Sequence, residues 1–129
     1  MKYVIPTYKR SDTISKQTLK VLNEGGVEAK DIWLFVANQE EKEKYLANVD
    51  TNLFGHIEIG ELGLVEQRNY ITHFFLEGDE IIECDDDIQT FKRLALDTSK
   101  NTLQSVENIP KFCREAFDKC KEEKCGLWG

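Results

Sequence analysis

Short apolar runs alternate with amphipathic stretches along this chain, and that alternation restricts its fold more than any other feature. Tyr3-Val4-Ile5 is an apolar run closed by Pro6, which cannot donate to a sheet ladder and so marks a strand's end. Ser11 or Asp12 can cap a following helix, whose inner face takes Ile14, Thr18, Val21 and Leu22 before Gly25-Gly26 stops it. Ile32 to Val36 is apolar throughout, the pattern of a strand covered on both faces. Residues 40–49, rich in Glu and Lys, read as a solvated helix with Tyr45, Leu46 and Val49 inward. Ile57-Glu58-Ile59 is a third strand, Gly60 and Gly63 frame a loop, and Leu64, Ile71, Phe74 and Phe75 give the next helix a buried face. Glu80 to Cys84 is a fourth strand. The order β-α-β-α-β-α-β predicts a mostly parallel sheet with helices on both faces.

The last third is less regular. Ile88 and Phe91 alternate with polar residues as in a short strand, residues 94–102 read as loop, and Ile109, Phe112, Cys113, Ala116 and Cys120 line a helix with Pro110 in its first turn. Cys125 to Gly129 reads as the start of a further strand. No linker or repeat divides the 129 residues, so residues 1–129 are expected to form one domain.

Composition excludes several classes. Hydrophobic residues are 40% and charged residues 32%, as in a globular domain. No apolar run approaches the roughly 20 residues that span a bilayer, and the first residues lack a signal-peptide pattern, so no membrane partner and a cytoplasmic protein are expected. The four cysteines have no Cys-x-x-Cys spacing and neither histidine sits among them, which argues against zinc and for free thiols. The net charge is −7, and residues 61–93 hold nine acidic side chains against three basic ones. That imbalance opposes a broad face for duplex nucleic acid and suits a local cation site.

Its centre is the triplet Asp85-Asp86-Asp87, directly after the fourth strand. Adjacent carboxylates raise one another's pKa unless a cation intervenes. In an open α/β sheet, the crevice that takes ligands lies beyond the carboxyl ends of the strands. Oxygen-only ligands there favour Mg2+ or Mn2+, with open positions left for phosphate oxygens. A calcium loop does not fit: counting from Asp85, position six is Thr90 rather than Gly and position twelve is Leu96 rather than Glu. The alternative is an acidic surface turn that binds nothing.

Other polar residues fall at the same sheet edge. Pro6-Thr7-Tyr8-Lys9-Arg10 follows the first strand: Thr7 offers a hydroxyl, Tyr8 an aromatic face and Arg10 a planar fork for phosphate. Asn38 follows the second strand, as a site residue or as the cap of the next helix. Arg68 and Asn69 lie near a helix start, where backbone donors favour a diphosphate; Arg68 has a second reading as the ion-pair partner of a triplet carboxylate.

Together these segments resemble a family. Val4-Ile5-Pro6-Thr7-Tyr8-Lys9-Arg10, Gly63-Leu64-Val65-Glu66-Gln67-Arg68-Asn69 and Ile81-Ile82-Glu83-Cys84-Asp85-Asp86-Asp87 look like a GT-A fold glycosyltransferase. The resemblance implies a Rossmann-like three-layer αβα sandwich, a nucleotide-sugar donor held by Pro6, Thr7, Tyr8, Arg10, Asn38, Arg68, Asn69, Asp85 and Asp86, and Mn2+ or Mg2+ on the Asp-x-Asp motif. Asp87 would be the metal ligand and Asp85 the second, at the ribose or a metal-bound water. No catalytic base is identified; Glu66 and Asp86 qualify only by charge. Gly126-Leu127-Trp128-Gly129 adds a resemblance to the TET-associated glycosyltransferases of bacteriophages, which implies a hydroxymethylated pyrimidine in DNA as acceptor and the host cytoplasm as location. GT-A enzymes continue past this point, so the acceptor side is expected to be short or missing. Two other functions compete: a nucleotidyltransferase, disfavoured because the first loop has no glycine, and a non-catalytic nucleotide-binding module of the same fold.

Overall fold

The computed structural model describes residues 1–96 and 101–129. Four strands form one parallel sheet: β1 (Lys2–Pro6), β2 (Ile32–Val36), β3 (His56–Ile59) and β4 (Ile81–Glu83), in the spatial order β3-β2-β1-β4. β1 pairs with β2 through Tyr3–Ile32 to Pro6–Phe35 and with β4 through Lys2–Ile81 to Val4–Glu83. The connecting helices are α1 (Thr18–Glu24), α2 (Gln39–Asn48) and α3 (Leu64–Phe74). Parallel neighbours need crossovers, and right-handed crossovers put α1 and α2 on one face while the return from β3 to β4 puts α3 on the other.

The packing follows that rule. Tyr3, Ile5, Ile32, Leu34, Val36, Ile82 and Cys84 meet Leu19 and Leu22 of α1, Tyr45 of α2 and Ile109 and Cys113 of α4 (Ile109–Glu122). On the opposite face Val4 and Phe35 meet Ile71 of α3, edged by Trp33, Tyr70 and Phe75. The chain is therefore α/β, with a parallel sheet between two helical layers, compatible with a Rossmann-like fold.

Several local expectations fail. Neither Ser11 nor Asp12 caps α1. A 3-10 turn at Ile14–Lys16 comes first, and Gln17, at φ −118° and ψ −110°, separates it from the helix. Gly25 and Gly26 do end α1, Gly26 in the left-handed region at φ +88°. Ile88 and Phe91 are not in a strand; they tuck against the main core from a loop. In place of a loop over 94–102 there is an antiparallel pair, β5 (Lys92–Leu96) and β6 (Asn101–Ser105), with residues 97–100 outside the described ones. Residues 125–129 form no strand, and Trp128 instead packs edge-on to Phe112 and Phe117 of α4. Among the described residues no helix is long and apolar enough to cross a membrane.

Candidate functional site

The strand order reverses direction at β1: the chain leaves it for β2 and β3 and returns on its other side as β4. Beyond such a reversal the flanking loops separate and open a crevice. Here a cleft of about 410 Å3 opens between the loops that follow β1, β2, β3 and β4. Pro6, Thr7, Tyr8 and Arg10 line it from β1, Ala37 from β2, Glu61, Gly63, Leu64 and Gln67 from the start of α3, and Asp85, Asp86 and Asp87 from β4.

The β1 side is fixed from beneath by α2. The Thr7 amide donates to the Phe35 carbonyl at 2.9 Å, extending the ladder by one residue. Thr7 Oγ1 donates to Asp86 Oδ2 at 2.8 Å and lies 2.6 Å from Tyr45 Oη. A hydroxyl carries one proton, so Tyr45 must donate to Thr7. Tyr45 Oη accepts in turn from the Arg10 amide at 3.0 Å. Burial, the largest influence, pushes the Tyr45 phenol above its ordinary value, which keeps it a donor. The bonds thus run in one direction, from Arg10 through Tyr45 and Thr7 to the Asp86 carboxylate. Lys9 sits at φ +55°, a conformation that costs an L-residue roughly 1–2 kcal/mol. Its amide donates to Glu41 Oε2 at 2.8 Å, and Glu41, only 3% exposed, lies in the first turn of α2, where the helix dipole favours a negative charge.

α1 fixes the β4 side. The Cys84 amide donates to the Val4 carbonyl at 2.8 Å and ends the ladder. The triplet turns immediately afterwards, and Thr18, wholly buried at the start of α1, spans the turn. Thr18 Oγ1 donates to the Asp85 carbonyl at 2.6 Å and accepts from the Ile88 amide at 2.9 Å. Burial, before the neighbouring Cys113, Asp85 and Glu83, pushes the Cys84 thiol up to about 12, so this cysteine offers no thiolate to the site at neutral pH.

The sequence-expected residues divide. Thr7, Tyr8, Arg10, Asp85, Asp86, Asp87 and Pro6 share the cleft. Asn38 and Asn69 do not line it. Asn38 Oδ1 accepts the Glu41 amide, so Asn38 is the cap of α2. Asn69 is exposed on α3, and its carbonyl meets His73 Nδ1. Arg68 pairs with Glu83 at 3.0 Å and with Asp85 at 2.8 Å, so it steadies Asp85. Leu64, expected in the core, is 64% exposed at the rim of the cleft, and Leu46 and Phe74 are also exposed. Glu66 lies over Gly63, outside the lining, and Gly63 holds φ +107°. The residues that sequence reading missed as site elements are Thr18, Glu41 and Tyr45, while Gln67, one of the polar residues 66–69 near the helix start, lines the cleft. Asn38 and Glu41 have the i, i+3 spacing of a capping box, a signal that could have marked Glu41, although its carboxylate goes to Lys9.

Among the described residues no group of three or more His, Cys, Asp or Glu side chains converges to hold a metal. An ion that bridges phosphates asks for less: Mg2+ commonly takes one or two carboxylates, with substrate oxygens and water completing its shell. Asp87 has no hydrogen bond or ion pair among the described residues, and Asp85 has one oxygen free of Arg68. This donor set fits a cation completed by a ligand's phosphates and does not fit a closed protein cage. No family model, curated protein or solved structure matches this chain.

Proposed function

We propose that the chain is a GT-A fold glycosyltransferase that binds a nucleotide sugar with Mn2+ or Mg2+ and transfers the sugar to an acceptor hydroxyl. One observation carries the reading: the 2.8 Å bond from Thr7 to Asp86 ties the β1 loop to the acidic triplet at the point of strand reversal. Arg10, Asp85 and Asp87 line the same cleft.

Asp87 and Asp85 would hold the cation. When bound, it would offset the negative charge that builds on the diphosphate as the sugar leaves. Arg10, whose backbone is anchored on Tyr45, supplies a guanidinium suited to phosphate oxygens. Tyr8, 44% exposed at the mouth, supplies an aromatic face. Asp86, engaged by Thr7, acts by holding the two loops together and is poorly placed to take a proton from an acceptor. The resemblance described above points to a hydroxymethylated pyrimidine in DNA as the acceptor, and the net charge of −7 argues that this chain does not grip DNA strongly unaided.

Turnover tests the reading. The protein is incubated with Mn2+, a panel of uridine and guanosine diphosphate sugars, and hydroxymethylated or plain DNA, and nucleoside diphosphate release is followed. Release that needs Mn2+ and disappears in Asp87→Ala supports a glycosyltransferase. Release from a nucleoside triphosphate and a sugar phosphate, as pyrophosphate, would replace it with a nucleotidyltransferase. Metal-dependent binding with no turnover on any acceptor would leave a binding module.

A further inference from the structure

We infer that Gln67 reads the base of the bound nucleotide by donating to a base carbonyl; this rests on the proposed nucleotide site. Gln67 is 4% exposed, in the first turns of α3, yet its side chain lines the cleft. Its Oε1 accepts the Glu61 amide at 2.8 Å. Only the carbonyl oxygen of a glutamine side chain can accept from an amide, so this bond fixes the orientation of the group. The two donors on Nε2 must then point away from Glu61. Among the described residues they meet no acceptor, and Nε2 is not sealed in the core, where Tyr3 Oη and Gln17 Oε1 are the unpartnered buried atoms. Water reaches these donors in the free protein, and a ligand oxygen in the cleft can take its place.

Gly60 makes this placement possible. A Cβ there would collide with Gln67 Oε1, so the side chain lies directly over the backbone at the end of β3. The location decides what the donors meet. The triplet follows β4, and Gln67 lies over the end of β3 with Ala37 beyond β2 beside it. In the order β3-β2-β1-β4 these are opposite ends of the cleft, two to three strand spacings of about 4.8 Å apart. A diphosphate on the acidic end therefore sends its base to the Ala37–Gln67 end. An amide donor pair is best met by a carbonyl oxygen, which uracil and guanine carry and adenine lacks.

The test is calorimetry on the full chain with Mn2+, using UDP, GDP, ADP and inorganic pyrophosphate, for the native protein and Gln67→Glu. The glutamate keeps an oxygen for the Glu61 amide but removes the donors and adds a nearly buried negative charge, so a lower melting temperature is expected. The pyrophosphate arm separates loss of the donors from charge repulsion. The native protein should bind UDP or GDP more tightly than ADP. Gln67→Glu should weaken the preferred nucleotide on the order of tenfold or more and leave pyrophosphate unchanged. Equal loss for pyrophosphate would mean a general charge effect and would overturn the inference, as would unaltered nucleotide binding. The native comparison needs no variant: ADP bound as tightly as UDP and GDP overturns the inference alone. A native protein that binds neither pyrophosphate nor any nucleotide with Mn2+ removes the site itself, and the inference with it.

Discussion

Thr18→Val is the substitution that most sharply separates the described geometry from a generic helix start. Valine has nearly the same shape as threonine and comparable helix propensity, so the change removes one hydroxyl and little else. In the native protein that hydroxyl donates to the Asp85 carbonyl at 2.6 Å and accepts from the Ile88 amide at 2.9 Å. Both backbone groups belong to the turn that carries the triplet, and both would lose their partner. A buried polar group left unsatisfied costs about 1–3 kcal/mol. Because both bonds are partly buried rather than sealed, the low end applies, and the pair should cost about 2–3 kcal/mol. For a domain of this length each kcal/mol moves the melting temperature by about 4 °C, so a fall of roughly 8–12 °C is expected. Thermal unfolding by circular dichroism measures the first effect, and calorimetry with Mn2+ and a nucleoside diphosphate measures the second, a loss of affinity as the carboxylates lose their frame. A melting temperature within about 2 °C of native, with ligand affinity kept, would refute the reasoning that Thr18 builds the triplet turn.

Two further outcomes follow from the same network and from the far end of the sheet. Tyr45→Phe removes the hydroxyl between Arg10 and Thr7 and should cost about 1–2 kcal/mol in urea unfolding, with faster hydrogen exchange at the Arg10 amide; unchanged exchange there would break the directional chain. Hydrogen bonds from Arg114 and Lys121 hold the Glu80 carboxyl down to about 2, against an ordinary 4.5. Because the folded-state value lies below the unfolded one, the stabilisation is complete above about pH 4.5 and is lost as pH falls toward about 2. Glu80→Gln should lower stability at neutral pH and flatten the acid limb of the stability profile in that window; parallel profiles for the two proteins would count against the pairing.

The sheet was legible because its central strands, β1 and β2, are buried along nearly their whole length. Ile32 to Val36 could hardly be anything else, and the four apolar runs with three intervening helices left few topologies. The antiparallel β5–β6 pair was not legible for the opposite reason. Leu94 and Leu103 face each other across the pair but stay exposed, so no burial pattern marks the strands. Leu64 misled because an apolar residue at a helix start signals burial equally well when it lines a cleft. At the site, Thr7, Tyr8, Arg10 and the triplet could be placed from their positions after strands. Their supports could not be placed, because Glu41 is one of several acidic residues on a charged helix and Tyr45 has the spacing of an ordinary core residue. Which of those groups turns toward the β1 loop is decided by the approach of α2 to β1, a tertiary fact absent from local periodicity. Asn38 and Arg68 each had two readings, and in both cases the structural partner, the Glu41 amide or Asp85 and Glu83, is the one present.

The most direct test of the central claim is Mn2+ relaxation enhancement in the nuclear magnetic resonance spectrum, recorded with a nucleoside diphosphate present. The account predicts that substoichiometric Mn2+ broadens the amides of Asp85, Asp86, Asp87 and Thr7 first, only weakly without the nucleotide, and no longer in Asp87→Ala. Broadening centred elsewhere on the chain, or identical with and without Asp87, would contradict it.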